Sequence, residues 1–149
     1  MTTREDDPLA RRQAAMAICA GARAAELADA LAALGAPAAT DLRPPQTGLA
    51  MLRGRIGGDG GAFNLGEASV TRAAVRLESG ESGFAYHLGR DAAKARAAAI
   101  LDALLQRDPA PVEAALAPIA RRIAQERAEE AAQVAATKVD FFTMVRGED

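Results

Sequence analysis

Three runs between Thr47 and Asp91 alternate apolar and polar residues with the period of β-strands, and a sheet patterned this way must find a cover for its apolar side. Gly48 to Ile56 sends Ala50, Leu52 and Ile56 one way and Met51, Arg53 and Arg55 the other. Ala68 to Leu77 places Thr71, Ala73, Val75 and Leu77 on one side, with Val70, Arg72 and Arg76 opposite. Gly83 to Gly89 separates Phe84, Tyr86 and Leu88 from Ala85 and His87. Aligning the apolar sides gives one face with Leu52, Val75 and Phe84, on which helices are expected to pack. The other face carries Arg53, Arg55, Arg72, Arg76 and His87. An antiparallel sheet tolerates such a basic face in water or against a partner, whereas a parallel sheet buried on both faces does not.

The flanks read as helix. Asp7 with Pro8 is a helix start, a side-chain cap followed by the residue that loses nothing at the first helical position. This helix is expected to reach about Ala20, and a second carries Leu27, Leu31 and Leu34 before Gly35 and Pro37 stop it. Together they suggest a helical hairpin within residues 1–37. Pro44 and Pro45 force an extended entry into the first strand. The turn Gly57-Gly58-Asp59-Gly60-Gly61 lacks the ending of a P-loop and the spacing of a dinucleotide loop, and is read as a hairpin turn. After Gly89-Arg90-Asp91, Asp91 caps a helix from Ala92 to Gln106 that turns Ala93, Ala97, Ile100, Leu101 and Leu104 to the sheet. Asp108-Pro109 opens the next, with Val112, Leu116, Ile119 and Ile123 on one stripe and a kink or restart at Pro118. From Ala124 to Thr137 the chain reads as an exposed helix or a partner-bound arm.

The resulting expectation is an α+β fold in a single domain over 1–149. Its antiparallel sheet occupies 47–91, helices pack mainly on one face, and long C-terminal helices occupy 92–138. A chain of 149 residues, half of them apolar, can bury one core. Much of that apolar content is alanine, so small residues and close helix contacts must build it. The net charge of −2 argues against a general nucleic-acid binder, which needs a basic surplus to neutralise phosphates. The single cysteine, Cys19, excludes an internal disulfide and reads as a buried, inert thiol on an alanine-rich helix. No basic leader or long apolar run suggests export or a membrane span, and a cytoplasmic setting is expected.

Catalytic constellations are scarce. His87 is the only histidine, so no histidine pair is available for zinc, and no serine sits in a nucleophile elbow. No catalytic residue, metal site or cofactor is assigned to the chain. The arginines of the basic face, with His87 and Arg90, are candidates for holding an anion or a partner, since arginine binds carboxylate or phosphate through two parallel hydrogen bonds. A second candidate region is the tail. Phe141, Phe142, Met144 and Val145 lie within the last nine residues, beyond a polar helix, and burying such side chains is worth roughly 1.5–3 kcal/mol each. They are expected to dock on another chain.

Several segments together resemble the PhnG family of the bacterial carbon-phosphorus lyase system. They are Thr47-Gly48-Leu49, Gly66 to Leu77, Gly89-Arg90-Asp91, Asp102-Ala103-Leu104 and the tail from Val139 to Glu148. The resemblance implies a cytoplasmic core complex with two copies each of the G, H, I and J subunits, which lets bacteria use phosphonates as a phosphorus source. With the L protein, methylphosphonate would displace adenine from ATP to form alpha-D-ribose 1-methylphosphonate 5-triphosphate. The displacement is assigned to the I subunit, so the resemblance supplies an accessory role and no catalytic residue here. A stand-alone anion- or nucleotide-binding module, using the arginines and His87 as its platform, is the alternative.

Overall fold

The computed structural model describes residues 7–57 and 59–137. Four helices and three strands follow in the order α1 (Pro8–Gly21), α2 (Ala24–Ala33), β1 (Ala39–Arg55), β2 (Ala62–Leu77), β3 (Ser82–Leu88), α3 (Ala92–Arg107) and α4 (Pro109–Ala136). The strands form one antiparallel meander in spatial order β1-β2-β3. This is the α+β arrangement expected.

Local chemistry sets the helix ends as anticipated at two positions. The Asp7 carboxylate accepts from Leu9 N–H at 3.0 Å, and Asp91 Oδ1 accepts from Lys94 N–H at 2.8 Å. At the start of α2, Glu26 Oε2 accepts the Arg23 backbone N–H at 2.7 Å. The same carboxylate receives the Arg122 guanidinium through both oxygens, at 2.6 and 2.7 Å, which ties α4 to α2.

Alanine-rich α3 is the centre of the molecule and packs on all six other elements. Ala95, Ala98, Ala99, Leu101 and Ala103 are buried, whereas Ala93, expected on the sheet, is exposed. Close approach is possible because the facing strand residue is Gly83. A Cβ there would collide with the Ala99 carbonyl oxygen and lie 2.6 Å from Ala103 N. Thr71, Ala73, Val75 and Leu77 of β2 line the same interface. On the far side of α3, α4 contributes Val112, Leu116 and Ile119 and runs unbroken through Pro118, with its second half exposed.

The apolar alternation in each strand is as expected, yet the strands are phased differently. Val75 pairs with Gly83, Ala73 with Ala85 and Thr71 with His87, so Ala85 and His87 face α3. Phe84, paired with Ala74, therefore points to the uncovered side and is 54% exposed, as do Tyr86 and Leu88. Leu52 is exposed too, opposite Gly66 in a distal ribbon. Only Val75 of the three expected core-face residues lies under the helices. The physical reason is Gly83: α3 leaves no room for a side chain, so the glycine takes the inner position and its neighbour is turned out.

β1 and β2 also begin earlier than their alternation suggested. Pro44 and Pro45 lie inside β1, where register shifts between Asp41, Arg43 and Gln46 absorb them on an edge strand. Beyond Val70, the last β2 residue paired with β3, the two long strands continue alone as a ribbon carrying exposed Leu49, Met51, Leu52, Phe63 and Leu65.

Asp102 joins helix layer and sheet. It is 2% exposed and takes both nitrogens of a fork from Arg12, at 2.9 and 2.7 Å. Its Oδ2 also accepts Phe84 N–H at 2.9 Å. Gly83→Val should cost more than the roughly 1–3 kcal/mol of ordinary overpacking, because it meets backbone, and should appear in chemical denaturation as a chain without a cooperative transition. Asp102→Ala removes the partner of half-buried Arg12 and of the Phe84 N–H and should lower stability by about 1–3 kcal/mol in the same measurement.

Candidate functional site

The six candidate cations do not converge on one platform. Arg72 and Arg76 lie on the open face of β2, where Arg76 Nε donates to Ser82 Oγ at 3.3 Å. Arg53 and Arg55 lie past a register shift in the distal ribbon, paired with Asn64 and Ala62. Alternation along β1 turns them to the side of Thr47 and Met51, away from Arg72, and Arg55 donates to Gly60 O in its own turn at 3.2 Å. Arg90 sits beyond β3, its Nε donating to Ser69 Oγ at 3.1 Å. The expected single basic face is thus divided, because β1 is phased against β2 so that Met51, Arg53 and Arg55 fall on the side of Thr71 and Glu67 and not on that of Arg72.

His87 departs furthest from expectation. It is buried on the helix side with Nε2 lacking a partner among the described residues. Beside it, the buried Thr71 hydroxyl donates to Gly89 O at 2.7 Å and lies 3.1 Å from Thr47 Oγ1. Burial holds the imidazole pKa below its ordinary value, Lys94 adds to the depression, and Asp91 opposes it. His87 is therefore a neutral core residue and no part of an anion platform. Cys19 is likewise buried, its thiol pushed up to about 12 mainly by desolvation, which makes it the inert thiol expected.

What the open face does assemble is a groove of about 670 Å³ around Arg72, walled by Met16, Leu42, Arg43, Phe84 and Tyr86. A smaller hollow of about 420 Å³ continues from Arg72 and Tyr86 towards Gln46 and Leu49. Arg43 escaped the sequence reading because it precedes two prolines that looked like the end of an entry loop. The register shift beside it lets consecutive Leu42 and Arg43 line the same groove. Among the described residues no group of three or more histidine, cysteine, aspartate or glutamate side chains could hold a metal ion. No helix among them is long and apolar enough to cross a membrane. Phe141, Phe142, Met144 and Val145 fall outside the described residues.

The depressed His87 pKa gives a pH signature. The unfolded histidine takes up a proton near pH 6.5 while the folded one resists it, so the unfolded state binds more protons just below that pH. Stability should be fully retained above pH 6.5 and decline as pH falls from there towards the folded pKa. His87→Gln should flatten that part of a stability profile measured by urea denaturation.

The sequence model of the family described as "Phosphonate metabolism protein PhnG" matches residues 10–147. The "Alpha-D-ribose 1-methylphosphonate 5-triphosphate synthase subunit PhnG" of Rhizobium meliloti (strain 1021) is 49% identical over 150 residues, which cover 99% of this chain and 96% of that protein. Among the described residues an uncovered sheet face and a ribbon beyond the third strand suit a subunit that works against other chains, and on these matches the chain belongs to the PhnG family of phosphonate metabolism proteins.

Proposed function

We propose that this chain is an accessory subunit of an alpha-D-ribose 1-methylphosphonate 5-triphosphate synthase, acting in phosphonate catabolism. The observation that carries this reading is the 49% identity to the Rhizobium meliloti subunit of that name, which spans nearly all of both chains. Its immediate partners are the H, I and J subunits of a carbon-phosphorus lyase core complex in the cytoplasm, with the L protein needed for turnover. ATP and methylphosphonate are then substrates of the complex, and the chain itself contributes contacts rather than chemistry and holds no cofactor.

The geometry supports an assembly role in two ways. Among the described residues no third strand pairs with the β1–β2 ribbon beyond Val70, which exposes apolar side chains, and an isolated pair of strands is marginal in water. The second half of α4, from residue 124, is exposed, and in the sequence the apolar tail follows it. The stand-alone anion platform has no comparable support, since its arginines are spread over two sides of the sheet and its histidine is buried.

Co-expression with the other synthase subunits tests the reading. The chain should elute with them as one stoichiometric complex that converts methylphosphonate and ATP to adenine and the ribose product, and omission of this chain should abolish that conversion. Removal of Val139 to Asp149 should leave the thermal midpoint of the isolated chain within a degree or two while preventing co-elution. A truncated chain that melts much lower yet still assembles would assign the tail to the chain's own core.

A further inference from the structure

The composition of the open sheet face dictates the chemistry of what can cover it. The three strands contain five arginines and two carboxylates, and both carboxylates are elsewhere. Asp41 turns to α3, where Arg96 Nε meets it at 2.8 Å, and Glu67 is paired with Met51 on the reverse side of the ribbon. Among the described residues, Arg43 and Arg72 have no hydrogen-bond or ion-pair partner, although they line one groove. Beside them Phe84, Tyr86, Leu88 and Leu42 are 54%, 63%, 70% and 48% exposed. Together they present on the order of 400 Å² of apolar surface, as much as the largest patch on many monomers, and such patches are often functional.

A purely apolar cover would strand two guanidinium groups out of water, and a purely acidic one would leave the rings wet. Both demands are met by a segment whose carboxylates alternate with aliphatic or aromatic side chains. Arginine forks onto carboxylate while its plane can stack on a neighbouring ring, and Tyr86 is the direct cross-strand partner of Arg72. The groove is open along its length, whereas a small-molecule site encloses most of its ligand, and this favours a polypeptide over a nucleotide.

We infer that the open face seats an acidic, apolar-flanked segment of another subunit of the synthase, with its carboxylates on Arg43 and Arg72 and its apolar side chains on Phe84 and Tyr86. This rests on the subunit role proposed above and names the surface through which that role is exercised.

Hydrogen exchange on the free chain and on the co-expressed complex provides the test, together with a double charge reversal, Arg43→Glu with Arg72→Glu, and an apolar variant, Phe84→Ser with Tyr86→Ser. All four side chains are exposed, so the free variants should keep the wild-type circular dichroism and thermal midpoint. Amides of 82–88 and of 42, 43 and 46–48 should gain protection on assembly, and each variant should weaken co-elution by roughly 100-fold or more. A wild-type complex with those amides unprotected, or reversal variants that assemble normally, would overturn the inference while leaving the subunit role intact. Failure of the wild-type chain to assemble would overturn both. Protection of the same amides by ATP alone, or by dimerisation of the free chain seen in sedimentation, would replace the subunit segment with a nucleotide or a second copy.

Discussion

Asp102 is the point on which the arrangement turns. It is a buried carboxylate on a helix that otherwise offers the sheet little besides alanine and leucine, and it reaches in two directions. Arg12 forks onto it from α1, and the Phe84 N–H on β3 completes its hydrogen bonding. Such a group adds little net stability compared with a well-packed apolar replacement, because desolvating the charges offsets their attraction. Its contribution is registry. One carboxylate specifies where α1 crosses α3 and how far β3 slides along it, which a smooth alanine surface would leave poorly determined.

Small residues do the remaining work. Ala95, Ala98, Ala99 and Ala103 bring the α3 backbone against Gly83, and this closeness compensates for a core with no described aromatic buried in it. The three aromatics of the sheet region, Phe63, Phe84 and Tyr86, are all exposed. A protein this poor in aromatics that exposes the three described ones is built to be covered. The exposed rings of β3, the ribbon beyond β3 and the bare second half of α4 lie on different elements, consistent with a subunit contacted by other chains on several sides.

That view also fits the chemistry of the described residues, among which no catalytic group set comes together. Neutral His87 lies under the helices, Cys19 is an unreactive thiol, and the best exposed cations flank rings instead of nucleophiles or carboxylate pairs. In a multi-subunit synthase such a chain can shape and hold a site that other chains furnish.

Much of this was legible in the residues themselves. Period-two alternation located the three strands, and Asp-Pro and Asp91 signals located the helix starts, because both depend on interactions between near neighbours in sequence. The tail and the Gly66–Leu77 segment carried the family resemblance that the comparisons bear out. The phase of one strand against the next was not legible, since alternation says which residues share a side and never which side is inward. Only tertiary contact decided it: the α3 backbone presses on Gly83, which turns Ala85 and His87 in and Phe84 and Tyr86 out. The same holds for Arg43, whose place beside Arg72 exists because a register shift around two prolines aims it there. Local chemistry thus determined what the elements are, and the close packing of one alanine-rich helix determined which of their faces remains for a partner.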